Sequence, residues 1–148
     1  MSGVYLPPTQ AGSQAGGGVI LPTQVVSIGL QPTVEVICSN NLYYQDDLTI
    51  PDGSIFPPGA AVDKQWLVEN NGDCSWDSRY RLQLVEGVAM GVPQAQALYP
   101  ARAGSQAVIR IVFTAPAEPG SYRSEWQAYD LQGVPFGDPI FIEIVVSP

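Results

Sequence analysis

The stretch AVDKQWLVE, residues 61–69, decides the fold of this chain. Val62, Trp66 and Val68 fall on one face, and acidic and amide side chains dominate the other. An apolar–polar repeat of two residues is typical of a β-strand with one buried face. We therefore predict a strand over residues 61–69 that buries Trp66. Lys64 shares the apolar face, where we expect it to reach along an aromatic ring to the rim of the core. A buried lysine that forms an isopeptide bond is the alternative.

Segments of similar composition, rich in β-branched and aromatic residues, recur from residue 33 onward. The other predicted strands are 33–38, 42–48, 80–86, 106–114, 121–130 and 136–146. Gly, Pro, Asn and Asp separate them, and the scattered prolines oppose any amphipathic helix. Short strands at such intervals predict an all-β chain that folds as an antiparallel β-sandwich.

Two of these strands carry apolar side chains on the face that should meet solvent. In 106–114 the alternating residues Ala107, Ile109, Ile111 and Phe113 are predicted to point inward. Val108 and Val112 then point outward, and in 136–146 apolar side chains occupy both faces. Exposed apolar surface on a sheet usually marks a partner or a covering segment.

Composition narrows the classes of function. The net charge is −8 and Lys64 is the single lysine, so the basic footprint of a nucleic-acid-binding protein is missing. No run of apolar residues is long enough to span a membrane. The absence of histidine excludes a Ser-His-Asp triad and histidine-ligated metals. We expect neither enzymatic activity nor a cofactor. Asp46, Asp47 and Asp52 are candidate calcium ligands, with a solvated loop as the alternative.

Several short motifs occur together in a familiar order. They occupy residues 50–53, 58–59, 64–66, 71–76, 115–116, 119–123, 126 and 136–137. Over residues 48–146 the chain resembles the four-tryptophan immunoglobulin-like domain of neighbour-of-BRCA autophagy receptors and bacterial cell-surface proteins. Trp66, Trp76 and Trp126 match three signature tryptophans, and Phe141 stands at the fourth position. The resemblance implies a non-catalytic immunoglobulin-like sandwich used for protein–protein contact.

Two aromatic residues invite a more specific prediction. Trp66 and Trp126 are predicted to belong to the core, and Trp76, just after a turn, is the one of the three most prone to partial exposure. We expect Trp76 to serve structural packing, with a sugar-stacking or partner-binding role as the alternative. Tyr122 follows Pro-Gly-Ser near the start of a late strand. Its hydroxyl either bonds back to the preceding loop, as in immunoglobulin-like folds, or stays in contact with water.

The two cysteines, Cys38 and Cys74, are predicted to form a disulfide. The bond would stabilise the fold by about 4 kcal/mol on the loop-entropy model. It would also imply an oxidising compartment. A reactive or metal-binding thiol is the alternative, but neither histidine nor a basic neighbour supports it.

The first 32 residues form an arm of different composition, rich in Gly, Pro, Thr and Gln, ahead of a domain at 33–148. Val26, Ile28 and Leu30 alternate with small residues, like a short strand. A second apolar cluster comprises Val19, Ile20 and Leu21. The arm could cover its own domain, remain a loose tether, or add as a strand to another copy.

Strand addition leads to the principal functional hypothesis. We expect an extracellular structural subunit that assembles into a filament or surface layer, with the apolar arm residues, Val108 and Val112 at the contact between copies. A monomeric, tethered adhesion or protein-binding module of a bacterial surface protein is the alternative. No signal peptide is visible, so a leader would have been removed already.

Overall fold

The computed structural model describes residues 37–148 as an all-β sandwich. The arm, the predicted boundary at residue 33 and residues 33–36 of the predicted strand 33–38 lie outside the described residues, and residues 37 and 38 do not belong to a strand. The strands are β1 (Tyr43–Asp47), β2 (Ser54–Phe56), β3 (Ala61–Glu69), β4 (Arg81–Gly87), β5 (Ala95–Ala97), β6 (Gln106–Thr114), β7 (Gly120–Tyr129) and β8 (Pro135–Val146).

The strands form two sheets, and one pair departs from the predicted antiparallel pattern. One sheet has the order β1-β3-β6 and the other β2-β8-β7-β4-β5. All pairs are antiparallel except β2 and β8, which run parallel with Ser54 opposite Ile144. The parallel pair arises because the chain crosses from the first sheet to the second between β1 and β2. The all-β sandwich itself is confirmed.

The predicted strands agree with the observed ones where alternation is long. The bounds of β3 and β6 are those predicted; β1, β4 and β7 differ by one residue at each end, and β8 by one residue at its start. The short strands β2 and β5 were not predicted, because three residues are too few to show a repeat.

The core lies between the two sheets and is built around large aromatic side chains. Trp66, Phe113 and Trp126 are fully buried, with the Phe113 ring 6.5 Å from that of Trp66 and 6.3 Å from that of Trp126. The inward residues of β8, from Ile140 to Val146, cover the other side of this cluster. Truncation of one such aromatic to alanine typically costs about 3–5 kcal/mol, so these contacts supply much of the stability.

Lys64 is fully buried, so its predicted position at the rim is wrong. Its Nζ donates to the carbonyl oxygens of Thr49 at 3.0 Å and Ile50 at 2.8 Å, and it lies 2.9 Å from an Asp47 carboxylate oxygen. These three acceptors match the three donors of an ammonium group. Asp47 is the last residue of β1, and the two carbonyl oxygens belong to the crossover between β1 and β2, where Ile50 has a φ of 53°. The lysine therefore holds the crossover in an otherwise disfavoured conformation.

Candidate protein-interaction surface

The three signature tryptophans all lie in the interior. Trp76 is 2% exposed, so its ring is packed in the core and is not partly exposed. A backbone bridge with Ala101 fixes its position, with N···O distances of 2.8 and 3.2 Å. Its ring packs against Phe136 at a centroid distance of 6.1 Å. None of the three rings is therefore open to a partner.

The indole N–H groups differ in their partners. That of Trp66 donates across the core to the carbonyl oxygen of Phe141 at 2.9 Å, which links the two sheets. That of Trp126 donates to the Ser124 hydroxyl at 2.8 Å. Within the described residues, that of Trp76 has no acceptor. The interior thus contains two satisfied indole donors and one that finds no acceptor there.

Phe141 lies on the outer face of β8, away from the tryptophans. The Arg123 guanidinium covers its ring at 3.9 Å. Arg123 also pairs with Glu125 at 2.7 Å and with Glu143. Phe141, an apolar residue predicted on this face, is therefore covered by a cluster of charges. The hydroxyl of Tyr122, on the neighbouring strand, donates to the Glu118 carbonyl oxygen at 2.7 Å, which is the first of its two predicted arrangements.

Cys38 and Cys74 are joined by a disulfide with a Cα–Cα distance of 5.1 Å. Beside it the Asp73 carboxylate accepts hydrogen bonds from the Ser39 backbone and hydroxyl, and these bonds lower the pKa of Asp73. The buried Asn70 amide donates to the carbonyl oxygens of Cys74 and Ala101. This corner therefore joins the segment ahead of β1 to the turn after β3.

The predicted calcium ligands do not form a cluster. Within residues 37–148 no group of three carboxylates comes close enough to share one ion. Asp47 pairs with Lys64 instead. In the same part of the chain, no helix is long and apolar enough to cross a membrane.

The outer face of the β1-β3-β6 sheet leaves two valines open. Val108 and Val112 of β6 are 37% and 46% exposed. Between them Arg110 makes two 2.8 Å bonds to Asp63 of β3, which lower the pKa of that carboxyl. Leu67 lies opposite Val108 in the register. We call this set of five residues the outer face; it combines apolar side chains with an ion pair that is already satisfied.

A concavity of about 560 Å³ adjoins the outer face where β6 begins. Leu67, Tyr99, Arg102 and Val108 contribute to its lining, and Arg102 is the charged residue there. The Tyr99 side chain is 62% exposed. Sequence reasoning missed Tyr99 and Arg102 because the segment between β5 and β6 has no strand repeat. The available signal was an aromatic residue and an arginine close together in Tyr99-Pro100-Ala101-Arg102.

The residues predicted to contact a partner fall into two groups. Val108 and Val112 lie on the outer face, as described above. The others lie outside the described residues: Val19, Ile20, Leu21, Val26, Ile28 and Leu30. The structure therefore shows the exposure of the two valines, and a contact made by them stays a prediction.

The sequence of this chain matches one protein family and is similar to several known proteins. Residues 49–146 match the family described as Ig-like domain from next to BRCA1 gene. Next to BRCA1 gene 1 protein of Homo sapiens is 28% identical over 132 residues, which are 87% of this chain and 14% of that protein. Protein ILRUN of Danio rerio is 27% identical, covering 72% of this chain and 38% of that protein. Protein JOKA2 of Solanum tuberosum is 29% identical over a match that covers 68% of this chain and 12% of that protein. The resemblance to the four-tryptophan domain is confirmed.

The same relatives overturn the predicted function and location. They are Next to BRCA1 gene 1 proteins, ILRUN, JOKA2 and an NBR1 homolog, not subunits of extracellular filaments or surface layers. The extracellular subunit that assembles by strand donation is therefore wrong, and so is the bacterial surface module. The inference from Cys38 and Cys74 to an oxidising compartment falls with them. Exposed valines and an uncharged arm indicate apolar contact, and they do not identify the compartment or the partner.

Proposed function

Because the chain belongs to the family of Ig-like domains from the next to BRCA1 gene protein, we propose that residues 37–148 form a non-catalytic domain that binds another protein. The chain spans a small part of the human relative, so the proposal concerns the domain alone. The domain presents a preformed surface, and its rigid core holds that surface in place.

The outer face carries the proposal. Its valines remain exposed although the tryptophans of the same domain are sealed in the core. Exposed apolar side chains beside a concavity are typical of sites where proteins bind one another. The satisfied pair of Arg110 and Asp63 adds polar specificity and little affinity, since exposed ion pairs contribute little.

Two surface concavities among residues 37–148 lack the acid pair of a glycoside hydrolase. The concavity at the start of β6 contains no acidic residue, and a second one, along β7 and β8, contains Glu143 as its acid. Neither brings together the two carboxylates that acid–base hydrolysis of a glycoside requires.

Site-directed photocrosslinking tests the proposal. A photoreactive phenylalanine analogue replaces Val112 in the full chain, which is added to an extract of the source organism. The control carries the analogue at Val134, which is 53% exposed in the turn between β7 and β8. We expect a discrete protein adduct from position 112 and none from position 134.

Reconstitution with the crosslinked protein then decides the outcome. The purified partner should bind the unmodified chain in calorimetry, and replacing both Val108 and Val112 by serine should weaken binding at least tenfold. Adducts of equal yield from both positions, or a partner that binds the double variant unchanged, would contradict the proposal.

A further inference from the structure

Among residues 37–148, β6 is an edge strand with a long side that no other strand pairs with. Along its whole length it pairs with β3, from Gln106 opposite Glu69 to Thr114 opposite Ala61. It is the last strand of its sheet. Its nine residues contain neither proline nor glycine, and Arg110 is its single charged residue. Proteins usually blunt edges of this kind with prolines, charges or bulges, because an open edge accepts another strand.

Three hydrogen bonds at the ends of β6 show which way its backbone groups point. The amide of Ala115 donates to Ala60 at 2.8 Å, and the carbonyl oxygen of Ser105 accepts from Asn70, both on the side of β3. The amide of Thr114 donates to Met90 at 2.9 Å, on the opposite side. Since backbone groups alternate in direction along a strand, odd-numbered residues of β6 face β3 and even-numbered residues face away.

The outward groups form an unused hydrogen-bonding ladder. Within residues 37–148 no backbone group pairs with the outward amides and carbonyls of Gln106, Val108, Arg110 and Val112. These four residues span about 20 Å at roughly 3.4 Å per residue, which is room for a strand of five to seven residues. Thr114 is already occupied by Met90, so the open length ends at Val112.

We propose that this free edge of β6 binds an extended segment of a partner protein, which adds to the sheet as a further strand. The proposal rests on the proposed function and locates its contact. Main-chain hydrogen bonds to the outward ladder supply the register, as in other cases of strand addition. Side chains on one face of the added strand lie beside Val108 and Val112, so alternate residues of the segment are apolar.

Charge specifies the segment further. Arg102 lines the concavity at the start of the edge, and no acidic residue lines it. Within the described residues Arg102 forms no salt bridge, whereas Arg79, Arg110 and Arg123 each form at least one. An acidic side chain at the corresponding end of the segment therefore finds an available guanidinium. The predicted ligand is an extended peptide of alternating apolar residues with an aspartate or glutamate at one end.

A displayed library of random dodecapeptides provides the probe. We expect selection against the full chain to enrich peptides of this pattern. Synthetic copies should lose binding when alternate backbone nitrogens are methylated, since methylation removes the donors without changing the side chains.

Variants of the edge give matched comparisons. Val112→Pro removes an outward amide and leaves the bonds to β3 intact, so it is compatible with an edge strand. We expect it to raise the Kd at least tenfold, whereas Val112→Thr, which keeps the amide and loses only part of the apolar contact, should raise the Kd by several times less. Arg102→Gln should raise the Kd severalfold, and Arg79→Gln should leave it unchanged. Circular dichroism verifies that each variant is folded.

Residue-resolved hydrogen exchange identifies the site directly. In the free chain the amides of Ile109 and Ile111 should exchange slowly and those of Val108, Arg110 and Val112 quickly. Added peptide should protect the second set. If peptides bind and protect other residues, the edge proposal is wrong while the binding function stands. If no peptide binds and the crosslinking also yields no partner, both fail.

Two further outcomes would assign the edge to a different occupant. Protection of the outward amides that rises with protein concentration, together with a dimer in light scattering, would mean that a second copy occupies the edge. Protection already present in the dilute free chain would mean that the chain's own residues do so. Either result overturns the partner peptide.

Discussion

At the scale of single residues, the interior contains buried polar groups. The free energy that each one costs the folded state depends on its hydrogen-bond partners. Lys64 is fully buried yet its ammonium has three acceptors, two of them backbone carbonyls of the crossover. Asn70 is buried too, and its side-chain amide donates hydrogen bonds to the carbonyl oxygens of Cys74 and Ala101. A buried polar group that is satisfied costs little, whereas an unsatisfied one costs about 1–3 kcal/mol. The Trp76 indole is the exception among the described residues.

Two tryptophan substitutions should therefore differ in cost. Trp66→Phe removes the hydrogen bond to Phe141, whereas Trp76→Phe removes a donor that has no acceptor in residues 37–148. Both remove the same volume from a buried site. We expect Trp66→Phe to lower the free energy of unfolding by about 1–2 kcal/mol more than Trp76→Phe does. Urea denaturation followed by circular dichroism measures the difference, and equal losses would contradict the assignment of the bond.

Tyr44 should make the fold sensitive to alkali. Burial, a hydrogen bond with Asp47 and the nearby charges of Asp46 and Asp52 raise its pKa from 10.0 to about 12. A raised pKa means that the unfolded chain loses this proton first as the pH rises. The stabilising contribution is thus complete below pH 10 and is lost as the pH passes 12. We expect Tyr44→Phe to flatten the fall in thermal stability between those values. An unchanged pH profile would contradict the shift.

At the scale of strands, the length of an alternating pattern determined what could be predicted. β3 and β6 each alternate over nine residues, so sequence alone supplied their bounds and placed Val108 and Val112 outside. β2 and β5 are defined by hydrogen bonds to distant strands, which no local pattern reveals. The burial of Lys64 was missed for the same reason, because two of its three acceptors come from the crossover between β1 and β2. The concavity required segments that only the fold brings together.

Gly87, at the end of β4, should tolerate no side chain. Its φ is 85°, and a Cβ there would lie 1.9 Å from the carbonyl oxygen of Arg123. Gly59 has a similar φ of 76° with open space around it, so it serves as the control. Gly59→Ala should cost about 1 kcal/mol through backbone strain alone. Gly87→Ala should cost several times more or prevent folding, as thermal denaturation will show. Similar melting temperatures for the two variants would contradict the close approach of β4 and β7.

At the scale of the whole molecule, sequence predicted the architecture and family correctly and the biological setting wrongly. Alternation, turn residues and the ordered motifs around Trp66, Trp76 and Trp126 carry information about one sandwich. Compartment and partner are properties of other molecules, and exposed valines are compatible with many of them. The exposure of Val108 and Val112 could be predicted from the sequence, but a partner could not.

The disulfide should act on the stability of the entire domain. Cys38 and Cys74 are 36 positions apart, so the bond restricts a long loop of the unfolded chain. Replacing both by serine should lower the free energy of unfolding by about 4 kcal/mol on the loop-entropy model. Urea denaturation with and without a reductant measures this, and the serine variant should be indifferent to reductant. A wild-type chain equally indifferent would contradict the bond.

The parallel pairing of β2 with β8 has a consequence for biosynthesis. Ile55 pairs with Val145, almost the full length of the domain away, and β8 also separates β2 from β7 within the sheet. A nascent chain emerging from the ribosome therefore cannot complete this sheet until its final strand has been translated. Such distant pairing slows folding. The chain between β2 and β8 loses conformational entropy when the two strands meet, before their contacts stabilise the sheet. Until β8 has been translated, β2 has no strand to pair with, and the edge of β7 that pairs with β8 stays exposed.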